Sequence, residues 1–356
     1  MKYTDFINSN KYIHEYDEII SFGFNCNTAT ALDRIGIRKK SYPLDWVRFV
    51  EETSNAELGF CGRIALICAK FKDFINKSNL YVAYDNQDKP QEQHLGVYNN
   101  YNGLRYLHDF LKGKTIAESY PEVKAKYDRR IKRFMNLINS GKKICFIFHS
   151  GVAPLSIAAI KYSTSIFYKI FPKSNVDFLI LQNDLNIGDK VVYKKISNNI
   201  CCVSFYSGSY EAAIKQDNAD PIIDKLKFVI RALVKKSCFS GAELNSNYRN
   251  GDIVTNPTPD FKGMVSFGPY MLVLQGKHTV SIDYKLTDNY RAFVDVVCDK
   301  GCVILPKTEL PHNTDKHILD FTLDKMVPDL EVRFYCEPTE KINKNNKFKL
   351  FGIHID

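Results

Sequence analysis

SFGFNCNTATALDRIGIRKKSYPLDW, residues 21–46, is the stretch from which the fold is read. It opens as the exit of an apolar strand, Ile19-Ile20-Ser21-Phe22, and turns through Gly23. It then delivers Cys26 just ahead of a helical run, Thr28 to Ile35. A thiol at a helix N-terminus sits beside unpaired backbone N–H groups and the positive end of the dipole, which favour the nucleophilic thiolate. Further on, Tyr42-Pro43-Leu44-Asp45-Trp46 holds the only tryptophan of the chain.

Outward from this stretch, residues 51–80 carry helical patterning, and residues 81–104 read as loop with short strands near 81–84 and 96–98. Ser119 to Asn139 is expected as an amphipathic helix. Ser119 and Glu122 form a capping-box pattern, with Pro121 in the first turn. Its apolar stripe contains Val123, Tyr127, Ile131, Phe134 and Ile138, and most of its lysines and arginines lie off that stripe. After Ser140-Gly141 the pattern changes. Lys143–Phe148, Val176–Leu181 and Ile200–Phe205 are continuous apolar runs, separated by helices over Pro154–Phe171 and, after the third, Asp220–Lys236. Such runs predict an α/β domain with a mostly parallel sheet and helices on both faces. Ligands collect at the carboxyl ends of such strands, and Cys26, His149 and Asn183 fall there. Neither G-x-G-x-x-G nor G-x-x-x-x-G-K-[ST] occurs, so no dinucleotide or P-loop site is expected.

The last third differs. Val280, Ile282, Tyr284 and Leu286 alternate with polar residues, as do Leu319, Phe321 and Leu323, and then Leu330, Val332, Phe334 and Cys336. Period-2 segments broken by turns predict an all-β antiparallel sandwich. The expected organisation is an α/β domain over 1–238, an Asn/Pro/Gly-rich linker over 239–262, and a β-sandwich over 263–356.

The chain has 356 residues and a net charge of +9. Residues 239–356 hold 14 Lys+Arg against 16 Asp+Glu, and residues 1–238 hold 35 against 24. The first domain is therefore basic, compatible with an anionic small molecule, but no basic run interleaved with aromatics marks a nucleic-acid partner. The ten cysteines include no Cys-x2-Cys pair and no cluster with zinc spacing, so neither a metal nor a cofactor is expected. No run approaches 18 apolar residues, so no transmembrane segment is expected, and free thiols in a reducing cytoplasm are. Composition leaves the oligomeric state open.

Ser21-x-Gly23-x-Asn25-Cys26, then Ser41 to Trp46, His108-Asp109-Phe110, and Tyr127-Asp128-Arg129-Arg130 through Phe134 occur in this order. Together they resemble a bacterial and viral family described as papain-like cysteine peptidases, of unknown function, over roughly residues 17–150. The resemblance implies Cys26 as nucleophile and His108 as base, with Asp109 or Asp45 orienting the imidazole. His149 is the rival base. One departure is that the strand–helix–strand order after residue 142 fits a parallel sheet better than a papain-type half-barrel. Residues 263–286, with Phe267-Gly268-Pro269-Tyr270, look like the β-sandwich modules appended to surface-polysaccharide enzymes, which implies a glycan context.

Three functions follow as expectations. The first is a cysteine hydrolase or acyl transferase acting on a glycan or glycoconjugate. Its substrate-binding set would be Gly23, Asn25, Asn27, Trp46, Arg129, Arg130 and Asn183. The second is a non-thiol transferase of surface-polysaccharide biosynthesis, in which the Ser21–Asn27 turn, His149 and Arg129/Arg130 bind an anionic donor. The third is a non-catalytic glycan-binding protein.

Overall fold

The computed structural model describes residues 1–7, 12–38, 40–49, 55–84, 92–209, 220–236, 238–251, 253–273, 275–299, 301–312, 314–339 and 347–356. The chain divides into two units. The first comprises 1–12, 18–32 and 40–233, and the second 13–17, 33–39 and 234–356.

The first unit begins with α1 (Tyr3–Ile7). A two-residue strand of the second unit, β1 (His14–Glu15), precedes β2 (Glu18–Gly23). There follow α2 (Cys26–Arg34), β3 (Val47–Phe49), α3 (Ala56–Cys68), β4 (Leu80–Tyr84), β5 (His94–Asn99) and β6 (Leu104–Leu111). Then come α4 (Ile116–Ile138), β7 (Lys143–Ser150), α5 (Ile157–Ile170), β8 (Asn175–Asn183), β9 (Val191–Ser197), β10 (Ile200–Phe205) and α6 (Asp220–Arg231).

The expected sheet forms in the order β2-β7-β8-β10-β9. Its first four strands are parallel, and β9 runs antiparallel along the edge of β10. Parallel strands buried on both faces need continuous apolar runs, which is what these segments supply. One face is an aromatic seam. Phe22 stacks on Phe146 at 5.5 Å, and Phe146 meets Phe178 edge-on at 5.5 Å. Phe60 of α3 and Phe167 of α5 close over it, at 5.2 Å from Phe148 and 5.3 Å from Phe178. Each fully buried phenylalanine contributes roughly 1.5–3 kcal/mol, so this seam is a large part of the first core. The four parallel strands follow one another in chain order, and the order reverses only where β10 precedes the antiparallel edge strand β9.

Between β2 and β7 the chain builds a four-stranded antiparallel sheet, β3-β6-β5-β4. Helix α4 begins one turn earlier than expected. Thr115 accepts from Glu118 N at 3.2 Å, and Glu118 accepts from Thr115 N at 2.7 Å. The capping box expected at Ser119 and Glu122 is thus formed by the preceding pair with the same spacing, and Pro121 lies inside the helix. The last helix also ends earlier than expected, at Arg231, because Val234 and Lys235 become strand β11 and pair with β1.

The second unit carries β12 (Cys238–Ser240), β13 (Arg249–Asn250), β14 (Ile253–Thr255), β15 (Gly263–Ser266), β16 (Pro269–Val273) and β17 (Gly276–Leu286). It continues with β18 (Tyr290–Cys298), β19 (Cys302–Glu309), β20 (Lys316–Leu323), β21 (Val327–Pro338) and β22 (Phe348–Ile355). One antiparallel sheet runs β13-β14-β22-β17-β20 with β12 on β22. The other runs β15-β21-β18-β19 with β16 on β21. The alternating residues point as their period requires: Val280, Ile282, Tyr284, Leu319, Phe321, Val332 and Phe334 are all in its core.

The expected linker is corrected here. Phe239 pairs with Ile353 and Val254 with Leu350, and both Phe239 and Val254 are buried in the second core. Its glycines, asparagines and prolines serve the tight turns between very short strands, a composition that a linker shares.

Candidate active site

The turn carrying Cys26 is held from inside by Arg63. This arginine of α3 is fully buried, and its guanidinium donates to Phe24 O at 3.0 Å, Val47 O at 3.2 Å and Gly59 O at 2.9 Å. It lies over the rings of Phe49 and Phe148, at 5.3 and 5.7 Å. Gly23 has φ +105°, and a Cβ there would stand 2.0 Å from Arg63 Nε. Glycine is thus required twice, for backbone angle and for space.

Beyond Gly23, Asn25 caps α2. Its side chain accepts from Asn27 N at 2.9 Å, and Thr28 Oγ1 donates to Gly23 O at 3.2 Å. Cys26 is therefore the first helical residue. Its thiol donates to Asn27 Oδ1 at 3.9 Å. Burial raises its pKa above the ordinary value. Its backbone hydrogen bond and the Arg48 charge oppose that rise without overcoming it. Burial therefore outweighs both, and the resting group is the thiol rather than the expected thiolate.

His108 stands on an irregular stretch of β6. Leu95 pairs with Phe110 and Val97 with Tyr106, so Gly96 alone faces residues 107–109. Such a bulge re-aims side chains. His108 is exposed only in part, its ring packed edge-on against Trp46 at 5.9 Å and against His94 at 6.0 Å. Loss of water around the ring pulls its pKa below the ordinary value, so it is neutral at pH 7. His94 Nδ1 lies 3.1 Å from Glu92 Oε1. This carboxylate–imidazole pair was not anticipated from the sequence.

Asp109 is turned the other way. Tyr127 OH donates to its Oδ2 at 2.7 Å, and Lys126 Nζ is 2.5 Å from its Oδ1. It ties the bulge to α4 rather than bonding the imidazole. Asp109→Asn is expected to lower stability by about 1–3 kcal/mol, because a buried charge-assisted acceptor is lost. Urea unfolding of the full chain measures it.

Asp45 is fully buried and accepts from Tyr42 N at 2.8 Å. Tyr42 OH donates to Glu18 at 2.7 Å, and Arg133 donates to Ser41 O at 2.8 Å. This network fixes the segment that carries Trp46. Of the two arginines expected to bind substrate, Arg130 lies over the Tyr127 ring at 5.5 Å. Arg129 is exposed and makes no hydrogen bond or ion pair with another described residue.

His149 closes β7 and is buried, with Nε2 3.2 Å from Ser207 Oγ. Asn183 holds the same strand ends, accepting from Ser207 N at 2.9 Å and donating to Gly151 O at 2.9 Å and Gly208 O at 2.8 Å. Burial pushes the His149 pKa down to about 3. The folded protein binds this proton less readily than the unfolded chain, so the contribution is complete above pH 6.5 and declines as pH falls toward 3. Between pH 6.5 and 5 the loss is about 2 kcal/mol. A His149→Gln variant should lack that increment when unfolding at the two pH values is compared.

The structure thus gathers Trp46 and His94 around His108, with Glu92 on His94, and places Cys26 in the field of Arg48 on β3 of the same sheet as the two histidines. Among the described residues, no histidine nitrogen is within hydrogen-bond distance of Cys26 Sγ, and no group of three or more His, Cys, Asp or Glu side chains is placed to hold a metal ion. No described helix is long and apolar enough to cross a membrane.

Residues 17–154 match the family described as "Putative papain-like cysteine peptidase (DUF1796)". The matched stretch holds Cys26, Arg63, Glu92, His94, His108 and Asp109. The "Uncharacterized protein R408" of Acanthamoeba polyphaga mimivirus is 30% identical over 138 residues, 36% of this chain and 59% of that protein. The C-terminal sandwich resembles the EclA C-terminal domain, a sugar-binding protein, at 16% identity and TM-score 0.21, covering 32% of this chain and 80% of that one. It also resembles the C-terminal CBM6 of LamC from Zobellia galactanivorans, at 13% identity and TM-score 0.20, covering 33% and 96%.

Proposed function

We propose that the family domain is a thiol-dependent acyl-transfer enzyme, hydrolase or transferase, with Cys26 as nucleophile and His108 as its base. The observation that carries this reading is the placement of Cys26 as the first residue of α2, on a turn that Arg63 and Asn25 both hold. Amides at that helix end can donate to a developing oxyanion. His108 is neutral and so able to take a proton, and the pair is completed on substrate binding. In the step proposed, His108 takes the thiol proton while sulfur bonds to the acyl carbon. The proton then passes to the leaving oxygen or nitrogen as its bond to carbon breaks. Water or a second acceptor afterwards takes the acyl group from sulfur.

The test is incubation of the full chain with p-nitrophenyl acetate and mass analysis of the peptides. Acetylation on Cys26, absent in Cys26→Ser, supports the reading. Acetylation only elsewhere, or an unchanged release of nitrophenol by Cys26→Ser, overturns it. The substrate class we assign is an acyl-bearing glycan or glycoconjugate, supported by the sequence resemblance of residues 263–286. We place the protein in a reducing compartment, supported by nine described cysteines that are all free.

A further inference from the structure

The chain leaves α3 through a loop with three non-glycine residues in the left-handed region: Lys70 at φ 52°, Phe71 at φ 58° and Asp73 at φ 53°. Each costs on the order of 1–3 kcal/mol and persists only where the surroundings impose it. Here the surroundings are α4 and the neighbouring strands. Tyr120 OH donates to Ile75 O at 3.4 Å, and Phe74 packs on Tyr127 at 5.3 Å. Phe74 O accepts from Tyr106 OH, and from Asn99 and Asn102 at 3.3 and 3.2 Å.

This loop and α4 line a half-open cavity of about 260 Å³, whose lining includes neither Cys26 nor a histidine. Its apolar walls include Ile75 and Ile131, and its polar groups are Asp73, Asn76, Lys124 and Asp128. The charges decide what it can hold. Lys124 Nζ is 2.7 Å from both oxygens of Asp128, so these two cancel as a pair. Asp73 has no cationic partner among the described residues and receives a long bond, 3.4 Å, from Asn76 Nδ2. The residues lining the cavity therefore sum to one negative charge, that of Asp73, in a half-enclosed space. An anion is repelled there and a cation attracted, and the attraction exceeds that in open water because the surroundings are less polarisable. At about 30 Å³ for each water-sized group, the volume takes roughly eight or nine non-hydrogen atoms.

The geometry points to a binding site for a small organic cation, a primary ammonium on a compact apolar body. The ammonium lies on the Asp73 carboxylate, with the body against Ile75 and Ile131. The inference stands independently of the chemistry assigned to Cys26.

Three probes of one shape and different charge test it: cyclohexylamine, cyclohexanol and cyclohexanecarboxylate, each titrated into the full chain at pH 7 and constant ionic strength. Cyclohexylamine should raise the melting temperature saturably, and the alcohol and carboxylate should not, since only a ligand of the native state stabilises it. Asp73→Asn should weaken the amine by about tenfold or more. Asparagine tolerates the left-handed backbone, so this variant should keep the fold. Ile131→Phe, which fills the cavity from α4, should block the amine with the charge intact. No shift with the amine, equal shifts with all three probes, or an undiminished amine shift in both variants overturns the assignment.

Discussion

Arg63→Met should destabilise the first unit by about 3–5 kcal/mol, because three buried carbonyls lose hydrogen bonds to a charged donor, offset in part by removal of the buried charge. The guanidinium is the donor to carbonyls on three separate segments: the turn before Cys26, the start of β3, and α3 itself. Methionine fills much of the volume and donates nothing, so Phe24 O and Val47 O lose these charge-assisted donors. At about 2–4 °C per kcal/mol for a unit of this size, the melting temperature should fall by roughly 6–20 °C. Arg63→Lys should fall between the two, because an ammonium lacks the planar fork that reaches several carbonyls at once. A loss under about 1 kcal/mol in urea titration would mean that the turn is held by something else.

Cys26→Ser and Cys26→Ala should each reduce acyl-ester turnover by about 10³-fold or more, leaving the background that binding alone provides. His108→Gln should cost about 10²–10⁴-fold at neutral pH, the usual range for a general base. The pH profile separates a base from a bystander. Burial raises the Cys26 pKa, and water exclusion lowers that of His108. With the base present, acylation should climb as His108 loses its proton below pH 6.5 and then level off. In His108→Gln the rate should instead keep rising about tenfold per pH unit through pH 8, because only the thiolate fraction reacts. A wild-type profile with that same unbroken slope would remove His108 from the mechanism. His94, held by Glu92, would then be the next variant to make.

Much of the fold was legible because its signals are local. Continuous apolar runs at 143–148, 176–181 and 200–205 could bury both faces only in a parallel sheet, and the alternation at 280–286 and 330–336 could face only one core. Other features depend on tertiary partners. Strand β9 reads as polar because it is an edge, half exposed along its length. Residues 239–262 read as linker because very short strands leave no period to detect. Arg63 did carry a signal: a single charge inside the apolar run Phe60-Cys61-Gly62-Arg63-Ile64-Ala65-Leu66-Ile67. Which carbonyls it serves could come only from three dimensions. The motif His108-Asp109 suggested an oriented imidazole, and its carboxylate instead answers Tyr127 and Lys126 on the helix that the next motif builds. Glu92 and His94 were hidden in a polar stretch with no periodicity.

The position of β2 constrains how the protein can be cut. Among the described residues that strand pairs in its sheet with β7 alone, about 120 residues later in the chain. A fragment ending before residue 143 would leave the turn that carries Cys26 on an unsupported ribbon. The family-matched stretch ends at residue 154 and includes β7, but omits β8, to which β7 also bonds along its full length. The segment that relatives share is therefore shorter than the smallest piece that could be expressed without a raw sheet edge, and truncation work should begin no earlier than the close of β10 at residue 205.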